Sequence, residues 1–472
     1  MKLAIYWFRR DLRLADNPAL CAALEAAQAV IPVYVWSPDD EGQWAPGGAG
    51  RWWLHQSLRA LDAKLRSRGS RLLVRAGPAE ETLAALAAES GAEGVFWNRL
   101  YDPDLVDRDK RIKARLRDGE IAASSCNGSL LHEPWELETG KGEPYRVFTP
   151  FWKAALARPD PPAPRPAPDD LKPPAHWPAG LEIDTLGLMP KVRWYEELDA
   201  MWTPGEAGAL ARLEAWCEEP VGRYAAERNR PDIDGTSAVS PHLHFGELSP
   251  RQAWAVAAAR RSELSTRGID CWLRELGWRE FAHHVLYHFP RTPTEPMYEK
   301  YAAFPWRENY AGMLERWQRG QTGIPIVDAG MRQLWATGWM HNRVRMITAS
   351  LLVKNIRAPW QEGARWFWDT LVDADLANNT MGWQWTAGSG ADAAPYFRIF
   401  NPVTQGEKFD PEGRYVKRWV PELKALDAAQ VHRPWEVSPP GYPAPIVDLK
   451  KTREEALAAL QALKDGAGGS AS

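Results

Sequence analysis

Leu3-Ala4-Ile5-Tyr6-Trp7-Phe8 is an uncharged run of aliphatic and aromatic residues, ended by Arg9-Arg10-Asp11. Residues of this kind suit a pleated, buried strand. Similar runs recur further along, at Ile31–Trp36, Arg71–Arg75, Gly94–Asn98 and Ile121–Cys126. Between them lie amphipathic stretches with helical spacing: Pro18–Ala29, Trp52–Ser67, Ala79–Ser90 and Asp104–Asp118. Asp16 and Pro78 sit where a helix start wants an N-cap side chain or a proline. Strand and helix in alternation predict an α/β domain with a Rossmann-like parallel sheet over residues 1–135. No GxGxxG follows the first strand, and Gly47-Gly48-Ala49-Gly50 has the wrong spacing for one. The sheet is therefore expected to lack the usual pyrophosphate turn.

A proline-rich stretch follows, Arg158-Pro159-Asp160-Pro161-Pro162-Ala163-Pro164-Arg165-Pro166. Such sequence is stiff and extended, and residues 136–205 read as an interdomain linker. From residue 206 to 465 helical periodicity dominates, as in Pro250–Arg261, Ile269–His288, Ala329–Thr337 and His341–Lys354. This predicts a second, all-helical domain. Residues 466–472 read as a disordered tail.

At 472 residues the chain is long enough for two domains. With 45% hydrophobic and 25% charged residues it is globular in composition. No apolar run approaches the ~20 residues of a membrane span. Arginines at positions 9 and 10 interrupt any signal-peptide core, so a cytoplasmic protein is expected. Cys21, Cys126, Cys217 and Cys271 are too scattered for a zinc or iron–sulfur pattern. The net charge of −3 excludes a protein that coats nucleic acid nonspecifically; any binding must be local. The 26 tryptophans are the oddest feature of the composition; many must be core, and indoles suit stacking or electron hopping as well as packing.

Several polar groupings fall inside the helical half. Glu275, Trp278 and Arg279 share a helix face by spacing. They are either an ion pair beside a core indole or a surface for a flat polar ligand. Asn342, Arg345 and Met346 share another face, with Arg343 turned elsewhere, where it could meet phosphate. The stretch Asp373-Ala374-Asp375-Leu376-Ala377-Asn378-Asn379-Thr380-Met381-Gly382-Trp383-Gln384-Trp385 is polar and helix-poor, and reads as a site loop. Tyr224–Arg228 and Gly235-Thr236-Ser237-Ala238-Val239-Ser240-Pro241 form a fourth grouping, whose turn offers hydroxyls to a phosphate or to a helix start. Glu280, His283 and His284 lack HExxH spacing, and His242 and His244 have no carboxylate partner evident in sequence, so no metal site is expected.

Taken together, these segments resemble the photolyase/cryptochrome family from Trp7-Phe8-Arg9-Arg10-Asp11-Leu12-Arg13 to about Pro445. The resemblance is most specific over residues 235–250, 275–281, 322–354 and 373–408. It implies an α/β antenna domain and an all-α domain that holds FAD. By position, Tyr224, Thr236, Ser237, Ser240, Arg279, Trp339, Arg345, Asp373, Asp375 and Asn379 match flavin-pocket residues, with Asn379 facing flavin N5. Glu275, Trp278, Asn342, Met346 and Trp385 match residues lining a lesion pocket. Arg228 and Arg343 match phosphate contacts. Trp383, Trp360 and Trp306 match an electron-transfer chain, with Trp317 the alternative to Trp306. Glu275, Asn342, Met346 and Asn379 are the implied catalytic set.

Subgroup features are mixed. The family's (6-4) repair enzymes carry histidine at the Met346 position, and plant cryptochromes carry an acid at the Asn379 position. Yet Leu100-Tyr101-Asp102-Pro103 and Leu131-His132-Glu133-Pro134-Trp135 are similar to plant cryptochromes. That mixture resembles bacterial class III cyclobutane pyrimidine dimer photolyases. It implies light-driven repair of damaged DNA by electron transfer from reduced FAD, a 5,10-methenyltetrahydrofolate antenna and a monomeric enzyme. A cryptochrome-type light receptor and a (6-4) photoproduct repair enzyme are the alternatives.

Overall fold

The computed structural model describes residues 1–262, 265–393 and 397–468, without the side chains of 466–468. Packing divides the chain into two compact units. One comprises Met1–Tyr145, Thr149–Gly222 and Ser237–His288; the other comprises Arg146–Phe148, Arg223–Thr236 and Phe289–Ser472.

The first unit is built on a five-stranded sheet in the order β3-β2-β1-β4-β5. The strands are β1 Leu3–Phe8, β2 Ala29–Trp36, β3 Leu73–Ala76, β4 Gly94–Asn98 and β5 Ala122–Cys126. All pairings are parallel. Helices α1 Pro18–Ala26, α2 Gly48–Arg66, α3 Ala79–Ser90 and α4 Pro103–Asp118 connect them. This is the expected Rossmann-like outline. Ile5, Trp7, Ile31, Val33, Val95 and Trp97 bury one face of the sheet with Leu83, Leu86 and Ile112. The cap of α1 is Asn17, whose side chain accepts from Leu20 N, and not Asp16. Asp16 instead takes a positive φ of 50° and accepts from Ser249 Oγ at 2.5 Å and Arg251 Nε at 3.0 Å.

The expected linker at 136–205 is not a free connection. It contains the helix Phe148–Leu156, and its extended part is laid along the sheet unit. Asp16 N and Val30 N donate to the carbonyls of Arg165 and Lys172 at 2.8 Å, and Leu181 N donates to Val74 O at 2.9 Å. Proline-rich backbone has no internal hydrogen bonds, so its carbonyls are available for such pairing. The helices Pro250–Ala259 and Thr266–His288, expected in the helical domain, also pack with this unit. Arg13 Nη1 donates to Gly246 O at 2.8 Å, and Trp53 Nε1 donates to Glu247 Oε1 at 3.1 Å. Glu247 also lies 2.5 Å from His242 Nδ1, so His242 has the carboxylate partner that its sequence surroundings did not reveal.

In the second unit the helices Ala311–Gln318, Asn342–Ser350, Trp360–Thr370, Leu376–Ala387 and Leu449–Gly468 pack around a buried π-helical turn, Leu351–Ile356, and Pro325–Thr337 packs on Asn342–Ser350. Asp373–Trp385 is not the expected site loop: from Leu376 it is helix. Asp375 caps that helix by accepting from Asn378 N at 2.9 Å. Leu376, Ala377, Thr380, Trp383, Gln384 and Ala387 form its buried side. An N-cap and a buried inner face outweigh the helix-poor composition. The helix Leu449–Gly468 runs into the expected tail, and residues 469–472 lie outside the described residues.

Candidate active site

Glu275, Trp278 and Arg279, with Ser237 and Ser240, belong to the first unit. Glu275, Trp278 and Arg279 lie half-buried on the Thr266–His288 helix. Gly277 between them lets the helix approach Trp152, whose ring a Cβ there would meet at 2.5 Å. The next turn is anchored by Glu280, which accepts Leu131 N at 2.8 Å and His132 N at 3.2 Å. Burial raises the Glu280 carboxyl to about 7, against the pull of Arg279 and the two backbone donors. Arg279 Nη1 donates to Ser129 O at 2.8 Å. Ser237 Oγ accepts from Trp272 Nε1 at 3.0 Å. Glu280 and Trp272 were not singled out as site residues in the sequence, because a buried partner is visible only after folding.

The other candidates belong to the second unit. Arg345 Nη2 donates to both oxygens of Asp373, at 3.0 and 2.8 Å, and its Nε donates to Met340 O at 2.7 Å. Asp373 is buried and Arg345 half-buried, so the pair is shielded on one side and open on the other. Asn379 Nδ2 donates to Ala364 O at 3.0 Å. That bond fixes the amide and leaves Oδ1 and the second N–H to face a ligand. Arg343 donates to Asn229 Oδ1 at 2.8 Å and stacks on Phe409 with its Cζ 4.6 Å from the ring centroid. Arg228 lies over the Tyr224 ring at 5.8 Å. Asn342 and Met346 sit on the Asn342–Ser350 helix, exposed and half-buried respectively. Arg398 lies 6.0 Å from the Trp385 ring.

The indoles are related through shared neighbours. Trp383 packs edge-on to Phe367 at 5.0 Å and to Trp317 at 6.2 Å. It also lies against Gly363, three positions after Trp360 on the same helix. Trp360 and Trp306 line one small surface cavity with Tyr301, Phe304 and Gln361. Trp317 is fully buried, with its Nε1 on Thr348 O at 3.0 Å. Only Trp306 of the two combines a place beside Trp360 with partial exposure.

Residues 272–462 match the family described as the FAD binding domain of DNA photolyase, and residues 4–169 match that described as DNA photolyase. A deoxyribodipyrimidine photo-lyase of Agrobacterium fabrum is 46% identical, over 98% of both chains. The chain belongs to the photolyase/cryptochrome family. Cryptochrome-1 of Arabidopsis thaliana is 38% identical, over 95% of this chain and 69% of its own. The crystal structure of a class III photolyase from Agrobacterium tumefaciens superposes with a TM-score of 0.94 at 46% identity, covering 98% of each chain. Within this photolyase/cryptochrome chain, the two cryptochrome-like stretches meet. Tyr101 Oη donates to Glu133 Oε2 at 2.6 Å, and Arg99 Nε donates to Glu133 Oε1 at 2.9 Å.

Proposed function

We propose that this chain is a deoxyribodipyrimidine photo-lyase that uses light to split cyclobutane pyrimidine dimers in DNA. Asn379 carries the choice of repair over signalling. Its amide is held in place by Ala364 O, and an amide, unlike a carboxylic acid, offers no acidic proton.

The donor set fits FAD. The Arg345–Asp373 pair supplies a shielded guanidinium for an anionic ring system. Tyr224, Thr236, Ser237, Ser240, Arg279, Trp339 and Asp375 are the further groups assigned to hold it. When bound and reduced, FAD supplies the light-driven electron, as cofactors carry the chemistry that side chains cannot.

The chain's own residues bind and orient the lesion. A dimer must leave the base stack, at a cost of about a few kcal/mol, lowered because the damaged pair is already weakened. Trp278 and Trp385 offer stacking faces, each worth ~1–3 kcal/mol per base. Met346 gives a pliable apolar contact for the irregular dimer. Glu275 and Asn342 hydrogen-bond the pyrimidine edges, where negative charge develops. Arg228 and Arg343 take phosphates. Trp383, Trp360 and Trp306 carry electrons inward from the surface.

Met346 stands against (6-4) repair, since no histidine acid is present at that position. The likeness to Arabidopsis Cryptochrome-1 keeps a light-receptor role as the second reading. The antenna assigned is 5,10-methenyltetrahydrofolate, from the likeness to class III photolyases. The enzyme is assigned as a cytoplasmic monomer; among the described residues no helix is long and apolar enough to cross a membrane. The deciding experiment is repair of a dimer-containing oligonucleotide in light and in darkness, beside the absorption spectrum of the purified protein. Flavin absorption with light-dependent repair is expected; bound flavin without repair would favour the receptor.

A further inference from the structure

The small cavity beside Trp306 and Trp360 has a third oxidisable ring in its wall. Tyr301 lines it together with the two indoles, Phe304 and Gln361. The cavity measures about 50 Å³, room for a few waters, so the rings on its wall are at most a few water diameters apart. Backbone hydrogen bonds hold the segment that brings them there. Tyr301 N donates to Tyr298 O at 3.0 Å, Phe304 N to Tyr301 O at 3.2 Å and Trp306 N to Phe304 O at 2.9 Å. Tyr298 N donates to Ser389 O at 3.2 Å, and Ser389 is itself part of the cavity wall. Phe304 packs on Trp306 with ring centroids 4.6 Å apart. This run of turns fixes Tyr301 and Trp306 against one cavity.

The three rings differ in their access to water and in their surroundings. Trp360 is 2% exposed, while Trp306 and Tyr301 are half-buried. A phenol that loses an electron becomes a strong acid and sheds its O–H proton, leaving a neutral radical. An indole that loses an electron keeps the positive charge for longer, because its N–H is then the weaker acid. Lys300 Nζ lies 5.2 Å from the Tyr301 ring centroid. A cation so near opposes positive charge on the ring and favours the oxidised form that has given up its proton.

We infer that Tyr301 is the terminal electron donor of the indole chain, a role that rests on the chain proposed above. Light-driven transfer of one electron inward leaves a hole that reaches Trp360 or Trp306. One electron then moves from Tyr301 to that indole, which is restored. The Tyr301 O–H proton passes to water at the half-buried ring, and a neutral tyrosyl radical remains. The electron cannot fall back to this radical unless a proton returns with it, so the charge separation is held.

Electron paramagnetic resonance of FAD-loaded protein, frozen under blue light, reads which ring holds the radical. Wild type made with ring-deuterated tyrosine should give a narrowed radical signal, and wild type made with ring-deuterated tryptophan an unchanged one. Tyr301→Phe keeps the ring and its packing; it should lose the tyrosyl signal and leave a shorter-lived indole radical. Tyr310, whose hydroxyl donates to Glu362 Oε1 at 3.5 Å, is not among the residues lining the cavity, so Tyr310→Phe should keep the signal. Narrowing by labelled tryptophan alone, or a tyrosyl signal that survives in Tyr301→Phe, overturns the inference. A tyrosyl signal that forms in Trp383→Phe would instead overturn the chain on which it rests. FAD-loaded wild type that forms no protein radical of either kind overturns both.

Discussion

Trp383 occupies the space that a side chain at Gly363 would need: a Cβ there would fall 2.0 Å from the indole. The contact sets the first indole of the proposed electron chain against the helix that carries the second, Trp360. Gly363→Ala should therefore displace Trp383, at a cost of roughly 1–3 kcal/mol in stability. Photoreduction of oxidised enzyme should slow, while repair by chemically reduced enzyme persists. Bleaching of the flavin band under blue light checks it, and an unchanged rate would show that the indole's position is immaterial.

Trp383→Phe tests the same chain without crowding. The ring remains but no longer matches indole as an electron donor. Photoreduction should be lost and repair by pre-reduced enzyme kept. Wild-type photoreduction would mean that electrons enter by another route.

Trp278 should matter to the substrate and not to the cofactor. Trp278→Ala should weaken binding of a dimer-containing oligonucleotide by about tenfold, from the loss of one stacking face. Bound FAD should be unaffected. Equal affinities for the two proteins would remove Trp278 from the lesion pocket.

Salt dependence follows from how few phosphate contacts are assigned. With Arg228 and Arg343 alone, the slope of log K against log salt should be about −2. A slope several times steeper would contradict a local contact on a chain of net charge −3.

Glu280 gives stability a defined pH dependence. Its folded value of about 7 lies above the ordinary 4.5, so between these values the native state holds the proton that the unfolded chain releases. Its contribution is then fully present below 4.5, declines as pH rises through the window, and levels off above 7. Glu280→Gln keeps an acceptor for Leu131 N and His132 N but removes the titration. The melting temperature of the variant relative to wild type should rise between pH 4.5 and 7. A constant difference would place the Glu280 carboxyl near its ordinary value.

Much of the fold was legible. β1 and β4 carry uncharged, aliphatic and aromatic runs bounded by charge or polar turns, and the structure has them at Leu3–Phe8 and Gly94–Asn98. The Asp373–Trp385 segment was misread for a physical reason. Helix formation there rests on a capping carboxylate and on tertiary burial of one helix face, which composition underweights. The role of residues 136–205 was hidden likewise, because proline-rich backbone looks the same whether it hangs free or lies on a sheet edge.

Sequence alone determined the parallel α/β start, the helical second half and the residue types available at the site, because side-chain periodicity and chemical character are local properties. Only the tertiary structure decided which groups are already engaged. The pairing of Arg345 with Asp373 and the anchoring of Asn379 on Ala364 depend on burial and on partners distant in the chain. Hydrogen bonding saturates groups pairwise in space, and no spacing along the chain records it.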